Sequence, residues 1–74
     1  MEKQRIGITT DYIRLDAALK LSGCVETGGQ AKVVIQAGLV RVNGEVCTMR
    51  GKKLRECDSF TFEGNSFEVK KNEG

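Results

Sequence analysis

The sequence predicts an α+β fold, with two short helices packed on a small, mostly antiparallel β-sheet. Three observations predict it. In the first half of the chain, "LDAALKLSG" and "TGGQAKVVIQAGL" place apolar residues at helical spacing. In the second half, "VRVNGEV" and "SFTFEGNSFEV" alternate apolar with other residues around glycine-containing turn signals. With only 74 residues, the two helices cannot bury both stripes alone. The sheet must supply the other wall of one thin core.

The segment Met1–Arg5 is charged and expected to fray. In "IGITT", Ile6 and Ile8 share one side, which suits a short, weak strand. Leu15, Ala18 and Leu19 fall at i, i+3 and i+4, and Gly23 is a stop signal. A first helix is therefore expected over 14–22, with Arg14 and Lys20 off its stripe. The second helix has the clearest start. Thr27 and Gln30 fit a capping box, in which the threonine hydroxyl accepts from the N3 amide and the glutamine accepts from the cap amide. Ala31, Val34 and Ile35 form its buried stripe, Lys32 and Gln36 share a more exposed face, and Gly38 fits the left-handed C′ position. Gly28 and Gly29 in its first turn cost about 1 kcal/mol each relative to alanine. Such a cost has two explanations: close approach of the backbone to another surface, or a tight turn into the helix.

Asn43-Gly44 is a type I′ turn pair, so strands are expected near 39–42 and 45–48. "MRGKKLREC" reads as an irregular crossing anchored by Leu54. "DSFTFEGNSFEVK" reads as a second hairpin, with Phe60, Phe62, Phe67 and Val69 inward and Gly64-Asn65 at its turn. The tail "KKNEG" is expected to be loose. Without repeats or a linker, one domain is expected over 1–74, with its core at about 6–70 and frayed termini.

Composition narrows the function. The chain has no histidine, which removes the commonest general base and metal ligand. Cys24, Cys47 and Cys57 are odd in number and lack paired short spacings, so a zinc site is not expected. They suit small, half-buried residues in a reducing cytosol. No signal peptide and no transmembrane stretch is legible, so a soluble, cytoplasmic protein without membrane contact is expected. Gly51-Lys52-Lys53 lacks the upstream glycine and the hydroxyl of a phosphate-binding P-loop. No nucleophile has a base beside it, so no catalytic residue is nominated and no cofactor is expected.

Charge points elsewhere. The net charge is +2, but Arg41–Arg55 holds five bases (Arg41, Arg50, Lys52, Lys53, Arg55) against one acid, Glu45. A basic island on a nearly neutral chain suggests a polyanionic partner. Aromatic residues are confined to Tyr12, Phe60, Phe62 and Phe67, too few for a single-strand stacking platform. Folded RNA, recognised by shape and phosphates, is the better match. The candidate face combines the island with the start of the second helix. There, free amides of Gly28 and Gly29 and the nearby Lys32 favour phosphate. An acidic protein is the alternative partner for the same face.

The segments "RLDAALK" and "TGGQAKVVIQAGLVRVNGEV" together resemble the RNA-binding domain of the ribosomal-protein-S-four type, the alpha-L motif. Arg14, Leu15 and Asp16 match its first part. Ala31, Lys32, Ile35 and Gly38 match its helix, and Val40, Arg41, Val42, Asn43 and Gly44 its hairpin. "GKKL" and "CDSFTFEG" resemble its closing lysines and Asp-bearing final strand. The likeness covers roughly Arg14 to Gly64 and is nearest to the small stand-alone YbcJ-like bacterial subgroup. It implies non-catalytic binding of structured RNA, ribosomal or transfer RNA; ribosome assembly or translation is the expected process, and a monomer the expected state. It also implies roles for Arg14, Thr27, Lys32, Arg41, Asn43 and Lys53 at or near the RNA. The chain departs from the pattern at Gly28, where many members carry arginine. Backbone amides of Gly28 and Gly29 can substitute, or the site can shift towards Arg50, Lys52, Lys53 and Arg55.

Overall fold

The computed structural model describes residues 3–72. Nine elements follow in order: β1 (Lys3–Ile8), β2 (Ile13–Arg14), α1 (Leu15–Leu21), α2 (Gly28–Gln36), β3 (Val40–Val42), β4 (Glu45–Val46), β5 (Lys53–Leu54), β6 (Ser59–Phe62) and β7 (Asn65–Lys71). Five strands form one sheet in the order β1-β7-β6-β3-β4, and β2 pairs with β5 in a separate two-stranded ribbon. All pairs are antiparallel except β1 with β7.

That exception corrects both ends of the chain. Lys3–Arg5 belongs to a six-residue strand rather than a frayed end, because it pairs with Ser66–Glu68 of β7. Lys70 and Lys71 likewise belong to β7, and the Asn72 amide donates to the Ile8 carbonyl at 2.7 Å. Met1, Glu2, Glu73 and Gly74 lie outside the described residues. The short strand expected at Ile6 and Ile8 is present, and the alternating pattern is too short to extend it back to Lys3. Its partner comes from the other end of the chain, a pairing that local periodicity does not report.

The core joins both layers. Leu15, Ala18 and Leu19 of α1, Ala31 and Ile35 of α2, and Val40, Leu54, Phe60 and Val69 of the strands are fully buried. Phe60 and Phe67 stack with centroids 5.1 Å apart. A seven-residue helix like α1 is marginal in isolation. Each fully buried leucine contributes roughly 1.5–3 kcal/mol to holding it against α2 and the sheet.

Local signals decide several boundaries. Gly38 has φ 78°, and the amides of Gly38 and Leu39 donate to the carbonyls of Ile35 and Val34, the Schellman pattern. Asn43 and Gly44 both have positive φ, 51° and 89°, as a type I′ turn requires. The second hairpin turns at Glu63-Gly64, not Gly64-Asn65, with φ 51° and 80°. Glycine in the second turn position relieves the left-handed backbone there, so Asn65 is released to pair with Phe62 as the first residue of β7. Strand β4 stops at Val46, two residues short of the expected 48, and α1 is one residue shorter at each end than expected.

Candidate nucleic-acid interface

The beginning of α1 gathers the basic residues. Its N-cap, Arg14, is extended and makes no side-chain cap. The orphan amides of the first turn are satisfied by a distant loop instead. Leu15 N–H donates to the Lys52 carbonyl at 2.8 Å, and Asp16 N–H to the Arg50 carbonyl at 3.2 Å. The loop is thus strapped across the start of the helix. The β2–β5 ribbon completes the arrangement, pairing Ile13 with Leu54 and Arg14 with Lys53. Leu54 is buried, whereas Arg14 and Lys53 are exposed. Gly51 passes beside the Arg14 guanidinium. Arg14, Arg50, Lys52 and Lys53 therefore lie on backbone segments that meet at the start of α1.

Two of these cations are oriented by neighbours. Arg14 Nη2 lies 3.2 Å from Asp16 Oδ2, and Lys53 Nζ lies 4.9 Å from the centre of the Tyr12 ring. Among the described residues, Arg50 and Lys52 enter no ion pair. Arg55 is held differently. Its amide donates to Asp58 Oδ2 at 2.8 Å, and the Asp58 amide returns to the Arg55 carbonyl. Its charge falls near Asp11. The Asp11 carboxyl is held below its ordinary value, first by the hydrogen bond from Lys71, then by the Lys71 charge, with Arg55 adding to both.

The first hairpin positions Arg41 and Asn43. Val40 and Val42 are buried, so Arg41 between them points away from the core, beside Thr61 on one neighbouring strand and Val46 on the other. The Asn43 side chain locks the turn. Its Oδ1 accepts from the Ser59 amide at 3.0 Å, and its Nδ2 donates to Asp58 Oδ1 at 3.2 Å. The Asn43 amide also donates to the Ser59 carbonyl. Asn43 therefore has a structural task in addition to any contact it makes.

The start of α2 stands apart. Thr27 Oγ1 accepts from the Gln30 amide at 3.1 Å, as the capping box predicts. Gln30 Oε1 accepts from Glu26 N–H at 2.8 Å rather than from the Thr27 amide, so the glutamine reaches one residue further back than expected. A Cβ at Gly28 would meet nothing within 4 Å, and one at Gly29 only Thr27 Oγ1 at 3.8 Å. Neither glycine has positive φ. A tight turn into the helix therefore does not require them. Thr27 and Gly29 border a groove with Val33, Phe62 and Glu63, whose lining includes no base. Lys32 is exposed on the same helix. Among the described residues, no hydrogen bond links this helix start to the basic loop.

The candidates thus fall into three groups: the α1 end, the hairpin, and the α2 start. Two residues of the site have no local signal. Tyr12 supports Lys53 from outside any regular element, and Met49, 65% exposed, lies beside Lys52 in a groove facing the hairpin. Cys57 is also exposed rather than half-buried, at φ 75° in the turn that Asp58 closes. Among the described residues, no helix is long and apolar enough to cross a membrane.

The sequence is similar to those of known proteins. YbcJ of Escherichia coli (strain K12), to which RNA binding is ascribed, is 38% identical over 58 residues, 78% of this chain and 83% of that protein. YbcJ of Shigella flexneri matches to the same extent. RlbA of Bacillus subtilis (strain 168), to which ribosome maturation is ascribed, is 40% identical over 65 residues, 86% of this chain and 92% of that protein. A family model for the S4 domain matches residues 6–70, which spans every element from the end of β1 to β7. The chain belongs to the S4 domain family.

Proposed function

We propose that this protein binds structured RNA without catalysis, through the basic end formed by Arg14, Arg50, Lys52 and Lys53. Arg41, Lys32 and Arg55 flank that end, and Asn43 sets the direction of the hairpin. The RNA is ribosomal or transfer RNA, and the process is ribosome assembly or translation. The observation that carries the proposal is the strap across α1. Two helix amides hold the carbonyls of Arg50 and Lys52, so their side chains extend from a fixed backbone beside Arg14 and Lys53. Cations held this way suit phosphates at defined spacing, as a folded RNA presents them. The functions ascribed to YbcJ and RlbA support the same class of partner.

Salt tests it. If these four residues each neutralise one phosphate, log K for a folded ribosomal RNA fragment falls with log salt at a slope of about −3 to −3.5. A slope near zero, with tight capture of an acidic protein instead, would overturn the proposal.

A further inference from the structure

From the basic end, Lys52 leads into a groove of about 340 Å³ beside the first hairpin. Buried Val42 and half-buried Cys47 form its apolar base, and Met49 stands open beside them, 65% exposed. Val42 pairs with Glu45 across the hairpin, so the Glu45 side chain stands on the same face as that base. Three polar residues edge it: Lys52, Glu45 and Asn43. Neither Lys52 nor Glu45 has an ion-pair partner among the described residues. Asn43 has committed Oδ1 to Ser59 and one Nδ2 hydrogen to Asp58, which leaves one N–H free.

Glu45 is the only acid between Arg41 and Arg55. Beside an RNA it repels phosphate unless it meets a hydrogen-bond donor. The geometry points to a docking pocket for one unpaired nucleobase of the bound RNA, guanine above the others. The inference rests on the RNA-binding proposal and specifies its ligand. Met49 and Cys47 take the ring, a thioether being a favourable neighbour for an aromatic system. Lys52 takes the adjoining phosphate. The two carboxylate oxygens of Glu45 accept from guanine N1–H and N2–H together, whereas uracil offers a single imino N–H. Charge complementarity favours this occupant over an apolar side chain of a protein, which would leave Lys52 and Glu45 without partners.

The test uses the full chain labelled with 15N and titrated with guanosine 5′-monophosphate, uridine 5′-monophosphate and ribose 5-phosphate. Guanosine monophosphate is expected to shift the amides of Asn43, Glu45, Cys47, Met49 and Lys52, with half-saturation about tenfold below that of uridine monophosphate. Ribose 5-phosphate is expected to leave Cys47 and Met49 unmoved. Glu45→Gln should bring the two nucleotides within about twofold, while Met49→Ser should weaken both and keep their ratio. Both residues are exposed, and the same spectra report whether the variants remain folded. Equal responses to all three compounds, or shifts confined to other residues, overturn the pocket. A parallel salt titration with folded RNA separates the two proposals. A steep slope without nucleotide preference removes the pocket alone, and no salt-dependent RNA binding removes the proposed function.

Discussion

Both helices begin after an extended residue, and both must satisfy the amides of their first turn, but they do so by opposite means. At α2 the cap is local: Thr27 accepts from Gln30, and Gln30 accepts from Glu26. At α1 it is remote: the carbonyls of Arg50 and Lys52 come from the loop between β4 and β5. The local cap leaves α2 beside an uncharged wall and Glu63. The remote cap carries basic side chains with it, because a loop cannot lend its carbonyls without bringing its residues. The same backbone requirement thus yields a groove without basic side chains in one place and basic side chains around a helix start in the other.

Charge reversal offers the largest way to break that contrast. The pair Arg14→Glu with Lys53→Glu is expected to lower affinity for a folded ribosomal RNA fragment by about a hundredfold or more at low salt, and to flatten its salt slope. Lys32→Glu on α2 is expected to cost only about threefold. Filter binding measures both, and equal losses would merge the two helix starts into one face.

Stability should separate glycines that the backbone needs from those it does not. Gly44→Val is expected to destabilise by about 1–3 kcal/mol, because φ is 89° there and a β-branched residue resists it. Gly28→Ala is expected to stabilise by up to about 1 kcal/mol, since nothing lies within 4 Å of the added methyl. Denaturant midpoints give both signs. If Gly28→Ala also weakens RNA binding, the glycine serves the ligand rather than the fold. Thr27→Ala should cost about 1 kcal/mol. Arg14→Ala should cost less in stability, as its side chain caps nothing.

The smallest expected effect is on pH dependence. Lys71 Nζ lies 2.8 Å from Asp11 Oδ1, lowering the Asp11 pKa from 3.8 and raising that of Lys71 from 10.5. The pair therefore contributes fully between those values. Its contribution is lost as pH falls through the lowered Asp11 value, or rises through the raised Lys71 value. Both groups are exposed, so a thermal melting series should show only a slight drop at each extreme. Asp11→Asn should remove the pair's share of it.

Much of the fold is legible in short stretches. The stripe of Ala31 and Ile35, the cap at Thr27, the C′ glycine at Gly38 and the Asn43-Gly44 turn are local physics, read from a few neighbouring residues. The site is less legible. Arg14, Lys53 and the island could be nominated by type and charge, and by family resemblance. Their joining through β2–β5, the support of Lys53 by Tyr12, and the locking of Asn43 by Asp58 and Ser59 join residues far apart in the chain. Lys3–Ile8 failed to read as a full strand for the same reason, since β7 comes almost at the chain's other end.

The sequence by itself determined two helices, two hairpins, a hydrophobic pattern that needs both layers, and an excess of bases between Arg41 and Arg55. These follow from backbone propensity, turn chemistry and side-chain period, all of which act over a few residues. Only the tertiary structure decided which bases stand together, which helix start receives them, and where Met49, Lys52 and Glu45 leave an open groove. Those outcomes depend on which distant carbonyl or strand meets each unpaired backbone group, and that pairing exists only once the chain has closed on its core.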